Sequence, residues 1–192
     1  MQFVKKKFSD TLEVKQSKFI AYLVPFSQYK SVLEQLKINH PKARHFVIAY
    51  RYLNEYEQIV EYSTDDGEPN GTSGKPSLMV LQGQSIINTT VIVVRYFGGT
   101  KLGTGGLVRA YSDAVNLVLS KAKLIEYEKE IFKYIVMKYS YVRLVDYECE
   151  LFSINILEKQ FDIEVKYHIQ ATKENINKFL SKVDRLVKVV EQ

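Results

Sequence analysis

Between Asn88 and Phe97 the chain carries an unbroken apolar run, Val91 to Val94, that leads straight into a glycine-rich stretch. A strand with no polar residue in its middle has no side to offer to water, so it belongs at the centre of a sheet covered on both faces. The stretch that follows contains Gly98, Gly99, Gly103, Gly105 and Gly106 and opens a helical pattern running to about Lys121. Leu107, Ala110, Tyr111, Ala114 and Val118 share one side of that helix, and Arg109, Asp113, Asn116 and Ser120 make a polar stripe on the other. A buried strand, a glycine loop and a one-sided helix in succession require a layered fold in which sheet and helices cover one another.

The remaining elements of this first part follow from the same periodicities. Lys18 to Phe26 reads as a strand, and a helix follows from about Ser27 to Asn39, with Ser27 as a candidate cap and Tyr29, Val32, Leu33 and Leu36 as its apolar stripe. His45 to Leu53 and Gln58 to Tyr62 are rich in β-branched and aromatic residues and read as a hairpin. Ser63 to Lys75 is a long polar loop, after which Pro76 suits the first position of a short helix carrying Leu78, Met79 and Leu81.

A charged break from Glu126 to Glu130 divides the chain, giving an expected first domain over residues 1–127 and a second over 128–192. The second reads as strand (Ile131 to Tyr139), helix (Tyr141 to Ser153), hairpin (Ile154 to Gln170), helix (Lys173 to Val183) and strand (Leu186 to Val190). Phe161, Ile163, Val165, Tyr167 and Ile169 alternate with polar residues at the period of a half-buried strand, and Ile176, Phe179, Leu180 and Val183 have helical spacing. The order βαββαβ is that of a ferredoxin-like fold. The fold class expected is therefore α+β in two domains.

Composition narrows the function classes. No apolar run approaches the roughly 20 residues that span a bilayer, and the N-terminus lacks the apolar core of a signal peptide, so a cytoplasmic location is expected. Cys149 is the only cysteine, which excludes an internal disulfide framework and a four-cysteine zinc site. It shares an apolar helical face with Val142, Val145 and Phe152, the setting of a structural thiol. A net charge of +5 favours anionic partners in a general way.

Two loops hold the chemistry-bearing residues. The glycine loop, flanked by Arg95 and Arg109 and containing Lys101, offers backbone amides and a helix N-terminus to an anion, with Tyr96 and Phe97 beside it as the candidates to stack on a base. It matches neither the Walker pattern nor the dinucleotide fingerprint, and the glycines are equally explained by tight turns and close packing. The candidate ligand-binding residues are Arg95, Tyr96, Gly98, Gly99, Lys101, Gly103, Gly105, Gly106 and Arg109. The second loop runs from Thr64 to Pro76 and supplies Asp65, Asp66, Glu68, Ser73 and Lys75. Its three carboxylates could hold a hard cation through oxygen, but their spacing is not that of an EF-hand, and turn chemistry explains them too. They could also pair with Arg95, Lys101 or Arg109 as electrostatic scaffolding. No metal and no cofactor is expected, and no nucleophile or base is identifiable.

Taken together, Asp65-Asp66-Gly67-Glu68-Pro69, Gly71-Thr72-Ser73-Gly74-Lys75-Pro76, Arg95-Tyr96-Phe97-Gly98-Gly99-Thr100-Lys101-Leu102-Gly103 and Gly105-Gly106-Leu107 resemble the signature of the IMPACT/YigZ family. Asn70 stands where that pattern has a serine. The resemblance implies a first domain similar to the second domain of a small-subunit ribosomal protein, an α/β sandwich, and a ferredoxin-like second domain. It also implies a link to translation, since eukaryotic relatives act on translation initiation through protein contacts. The reading it favours is a translation-linked binding protein engaging RNA, the ribosome or a translation regulatory protein through the basic glycine loop. A phosphate-handling enzyme using both loops, and a pure protein-interaction module, are the alternatives.

Overall fold

The computed structural model describes residues 1–190; Glu191 and Gln192, the end of the expected second domain, lie outside the described residues. The chain forms two compact units, Met1–Tyr127 and Glu128–Gln192, with the two-domain α+β architecture that the element order calls for.

In the first unit, β1 (Gln2–Phe3), β2 (Phe8–Val14) and β3 (Ser17–Pro25) precede α1 (Tyr29–Asn39). There follow β4 (His45–Leu53), β5 (Ile59–Thr64), α2 (Gly74–Gly83), β6 (Thr89–Tyr96), α3 (Gly103–Lys121) and β7 (Ile125–Glu126). Five strands make one sheet in the order β2-β3-β6-β4-β5, antiparallel at every pairing, while β1 and β7 form a separate two-stranded ribbon. The valine run of β6 sits at the sheet's centre, as its pattern requires. Val91 and Val93 pack with Leu81, Leu107, Tyr111, Ala114 and Val118 of α2 and α3. Ile92 and Val94 pack on the opposite face with Val32, Leu33 and Leu36 of α1. Burying each such side chain stabilises the fold by roughly 1.5–3 kcal/mol, so this strand joins two cores.

Several sequence expectations need correction here. Strand β2 is an addition to the expected elements, although its burial alternates residue by residue from Phe8 to Val14. Ser27 does not cap α1: it lies in a short 3₁₀ turn, and the position before the helix is Gln28, with no side-chain cap. Aromatic packing sets that turn instead, with the Phe26 ring stacked on Tyr52 at 4.0 Å. Helix α2 starts at Gly74, two residues before Pro76, and its Met79 is exposed rather than in the core.

The second unit contains β8 (Glu130–Met137), α4 (Val142–Leu151), β9 (Asn155–Phe161), β10 (Val165–Thr172), α5 (Lys173–Val183) and β11 (Val187–Val190). The sheet order β11-β8-β10-β9, antiparallel throughout, is the ferredoxin-like arrangement. Thr172 caps α5 by accepting from the Asn175 amide at 3.2 Å. Ile176, Phe179 and Val183 of α5 join Val145 and Cys149 of α4 over Ile135, Tyr167 and Ile169. Burial pushes the Cys149 thiol up to about 12, which suits a packing residue and not a nucleophile. Phe161 and Ile163 break the expected alternation: the hairpin reverses between Phe161 and β10, leaving both exposed. Among the described residues no helix is long and apolar enough to cross a membrane.

Candidate functional site

The carboxylates of the acidic loop point in three directions, each toward a separate structural task. Asp65 accepts the Ser73 hydroxyl at 2.7 Å and the amides of Gly71 at 2.8 Å, Ser73 at 3.0 Å and Gly74 at 2.8 Å. Partial burial pushes its carboxyl up, but these four bonds outweigh that, holding it below the usual carboxylate range. Asp66 accepts the Phe46 amide at 2.6 Å, and its carbonyl takes Nδ1–H of His45 at 2.8 Å, which ties the loop to the start of β4. Glu68 turns inward and accepts from Arg95 Nη1 at 2.5 Å and from the Tyr111 hydroxyl at 2.8 Å. This last arrangement is the scaffolding that the sequence raises as one option, with Arg95 as the partner.

The glycine loop is fixed by backbone geometry. Gly98 lies so close to the β2–β3 turn that a Cβ there would fall 2.0 Å from the Gln16 carbonyl carbon, and its amide donates to the Ser17 hydroxyl at 3.1 Å. Gly99 and Gly103 adopt φ of +85° and +73°, where a side chain is strained. Gly105 differs: it sits in the first turn of α3, and a Cβ added there would meet nothing within 4 Å, so no turn or contact calls for glycine.

Both loops meet at one cleft of about 340 Å³, between Glu68 and Pro69 on one side and Lys101 to Thr104 on the other, with Arg95, Phe97 and Leu107 completing it. Helix α3 enters this cleft by its N-terminus. It has 19 residues, no side-chain cap and no acid in its first turn, so the partial positive charge of its end is uncompensated. The Arg95 side chain, 7% exposed, keeps its Nε buried without a hydrogen-bond partner.

The predicted set therefore divides. Lys101 and Gly103 line the cleft, and Arg95 forms part of its wall, but Glu68 neutralises the arginine. Arg109 lies exposed on α3 and is not among the residues lining the cleft. Tyr96 belongs to the other face of the sheet, where it packs with the α1 core and bonds His40 Nδ1 at 2.9 Å. It cannot stack in the cleft; its neighbour Phe97, 54% exposed, can. Ser73 is fully buried on Asp65, and Lys75 is exposed on α2 outside the cleft. Sequence reasoning misses Tyr111 as the second partner of Glu68. The available signal is a tyrosine on an otherwise apolar helix face, since a buried phenol needs an acceptor.

A central strand delivering a buried arginine to two converging loops, beside an uncapped helix end, defines a two-unit α+β protein with a cleft between those loops in its larger unit. The model of the Impact N-terminal domain matches residues 15–119, which contain both loops and strands β3 to β6, and the chain belongs to the IMPACT family. An IMPACT family member of Haemophilus influenzae is 37% identical over 182 residues, covering 89% of this chain and 84% of that protein. The IMPACT family member YigZ of Escherichia coli is 43% identical over 111 residues, covering 56% of this chain and 54% of that protein. In that second match the shared segment thus spans about half of the relative's length. The crystal structure of a hypothetical protein superposes with a TM-score of 0.74 at 26% identity, covering 100% of this chain and 96% of that one.

Proposed function

We propose that this is a translation-linked binding protein whose larger unit grips a phosphate of RNA in the cleft between the two loops. The observation that carries the reading is the convergence of an uncapped helix N-terminus, Lys101 and the buried Arg95 side chain on one cleft. First-turn amides of α3 and the Lys101 ammonium would meet the phosphate oxygens, since amides at a helix end point at a bound anion and the dipole favours its charge. Phe97 would lie against an adjoining base. Glu68 would hold Arg95 in place while cancelling its charge, so the cleft suits one phosphate rather than a row of them. The translation link follows the signature shared with the IMPACT/YigZ family, and a cytoplasmic location accords with it.

The test is a fluorescence titration of labelled single-stranded RNA with wild type and Lys101→Glu, at several salt concentrations and with folding checked by circular dichroism. Losing the one phosphate contact of the cleft predicts a slope of log affinity against log salt shallower by about 0.7 in the variant. Binding should fall sharply in the variant. Wild-type affinity in Lys101→Glu, or no binding by folded wild type, would overturn the proposal.

A further inference from the structure

We propose that the open face of the second unit's sheet is a stacking platform for the bases of single-stranded RNA. The inference concerns a different surface from the cleft and does not depend on it. In this unit α4 and α5 cover one face of the sheet, through Ile135, Tyr167 and Ile169. Side chains alternate across a strand, so the neighbours of those residues project from the opposite face, which neither helix covers.

On that face the two central strands carry rings. Phe132 and Tyr134 stand on β8, and His168 stands on β10 directly opposite Tyr134. The Tyr134 and His168 rings are 4.3 Å apart and 10° from parallel, and the Phe132 ring lies 5.6 Å from His168. Phe132 is 55% exposed. A large apolar ring left in water at the middle of a sheet gains nothing for the unit's own core. The rings are bordered by cations: Lys166 Nζ is 4.7 Å above the Tyr134 ring, and the register puts Lys166 and Lys188 on either side of Val136. The acid across from His168, Glu158, is held by the Gln160 amide at 2.9 Å.

Single-stranded RNA is the occupant that this chemistry fits. Unstacked bases lie flat on aromatic rings at the centre of a four-stranded sheet, and lysines beside the rings meet the phosphates between them. Every base has a π-face, so the platform would accept many sequences.

The experiment uses the full chain and a short labelled oligouridylate. Phe132→Ala, Tyr134→Ala and the double variant are compared with Phe132→Tyr, which keeps a ring, and with Lys101→Glu in the cleft. Stacking of ordinary strength predicts a loss of roughly five- to 150-fold for each ring removed, and near wild-type binding for Phe132→Tyr. Excess inorganic polyphosphate, which has no bases, should leave the dependence on the two rings intact. Full binding by the folded double variant would overturn the platform while leaving the cleft standing, and a loss confined to Lys101→Glu would do the same. Concentration-dependent self-association abolished by Phe132→Ala, without RNA binding, would also overturn it by making the face a contact between copies.

Discussion

Replacing Glu68 by alanine tests whether the acidic loop is held by its bond to the central strand. The side chains of Arg95 and Glu68 are 7% and 3% exposed, so neither charge can turn to water when its partner is removed. The substitution leaves a guanidinium with a second unpartnered nitrogen and deprives the Tyr111 hydroxyl of its acceptor. Breaking a buried pair by deleting one member costs about 3–5 kcal/mol, because the remaining charge stays in a poorly polarisable interior. A protein domain has only about 5–15 kcal/mol to lose. Glu68→Gln should cost less than alanine, since its carbonyl can still accept from Tyr111. Glu68→Leu combined with Arg95→Met should recover much of the loss by removing both charges.

Two units need not unfold together, so one denaturation midpoint would mix their stabilities. Amide hydrogen exchange of peptides from β4 and β6 reports the first unit alone, and core strands there exchange through global opening. The cost above predicts exchange faster by roughly two to three and a half orders of magnitude in Glu68→Ala, with β8 and β10 unchanged. Less than a tenfold change in β6 would refute the argument that this pair anchors the loop.

Two glycines of the same loop should respond with opposite sign. Gly98→Ala drives a Cβ to 2.0 Å from the Gln16 backbone and should lower the thermal midpoint through a loss of about 1–3 kcal/mol or more. Gly105→Ala meets nothing within 4 Å and should raise it, by about 0.5–1 kcal/mol of helix propensity. The reverse order would show that the loop is not held by that approach. Asp65 is held below the ordinary carboxylate range, so its contribution is complete above the unfolded value near ~4 and is lost as pH falls through the folded one. Urea unfolding at a series of pH values should therefore find wild type more stable than Asp65→Asn at neutral pH, with the gap closing under acid; a gap independent of pH would count against the ionised carboxylate.

How much of this is legible in the sequence depends on whether a signal is local. The stripe of α3 can be read because Leu107, Ala110, Tyr111, Ala114 and Val118 repeat with the helix's own period, and all five are buried. The element order of the second unit is legible for the same reason. Glu68 cannot be assigned to Arg95 in the same way: 27 positions separate them, and their meeting depends on where the loop leaves β5 and how β4 registers with β6. The sequence can offer pairing only as one of several uses for the acids.

The misplacement of Tyr96 has a more specific cause. In a strand with one wet face, polar and apolar residues alternate and mark which side each position takes. Thr89 to Arg95 are all buried, because β6 is covered by α1 on one face and by α2 and α3 on the other. The features that identify the strand as central thus erase the alternation that would have separated Arg95 from Tyr96 at its end. Phe97, two residues from Arg95, returns toward the cleft and places its ring 5.8 Å from the guanidinium. A buried strand can be recognised from its composition, but the side on which it delivers a functional residue becomes visible only once a neighbouring partner is known. Here that partner is Glu68.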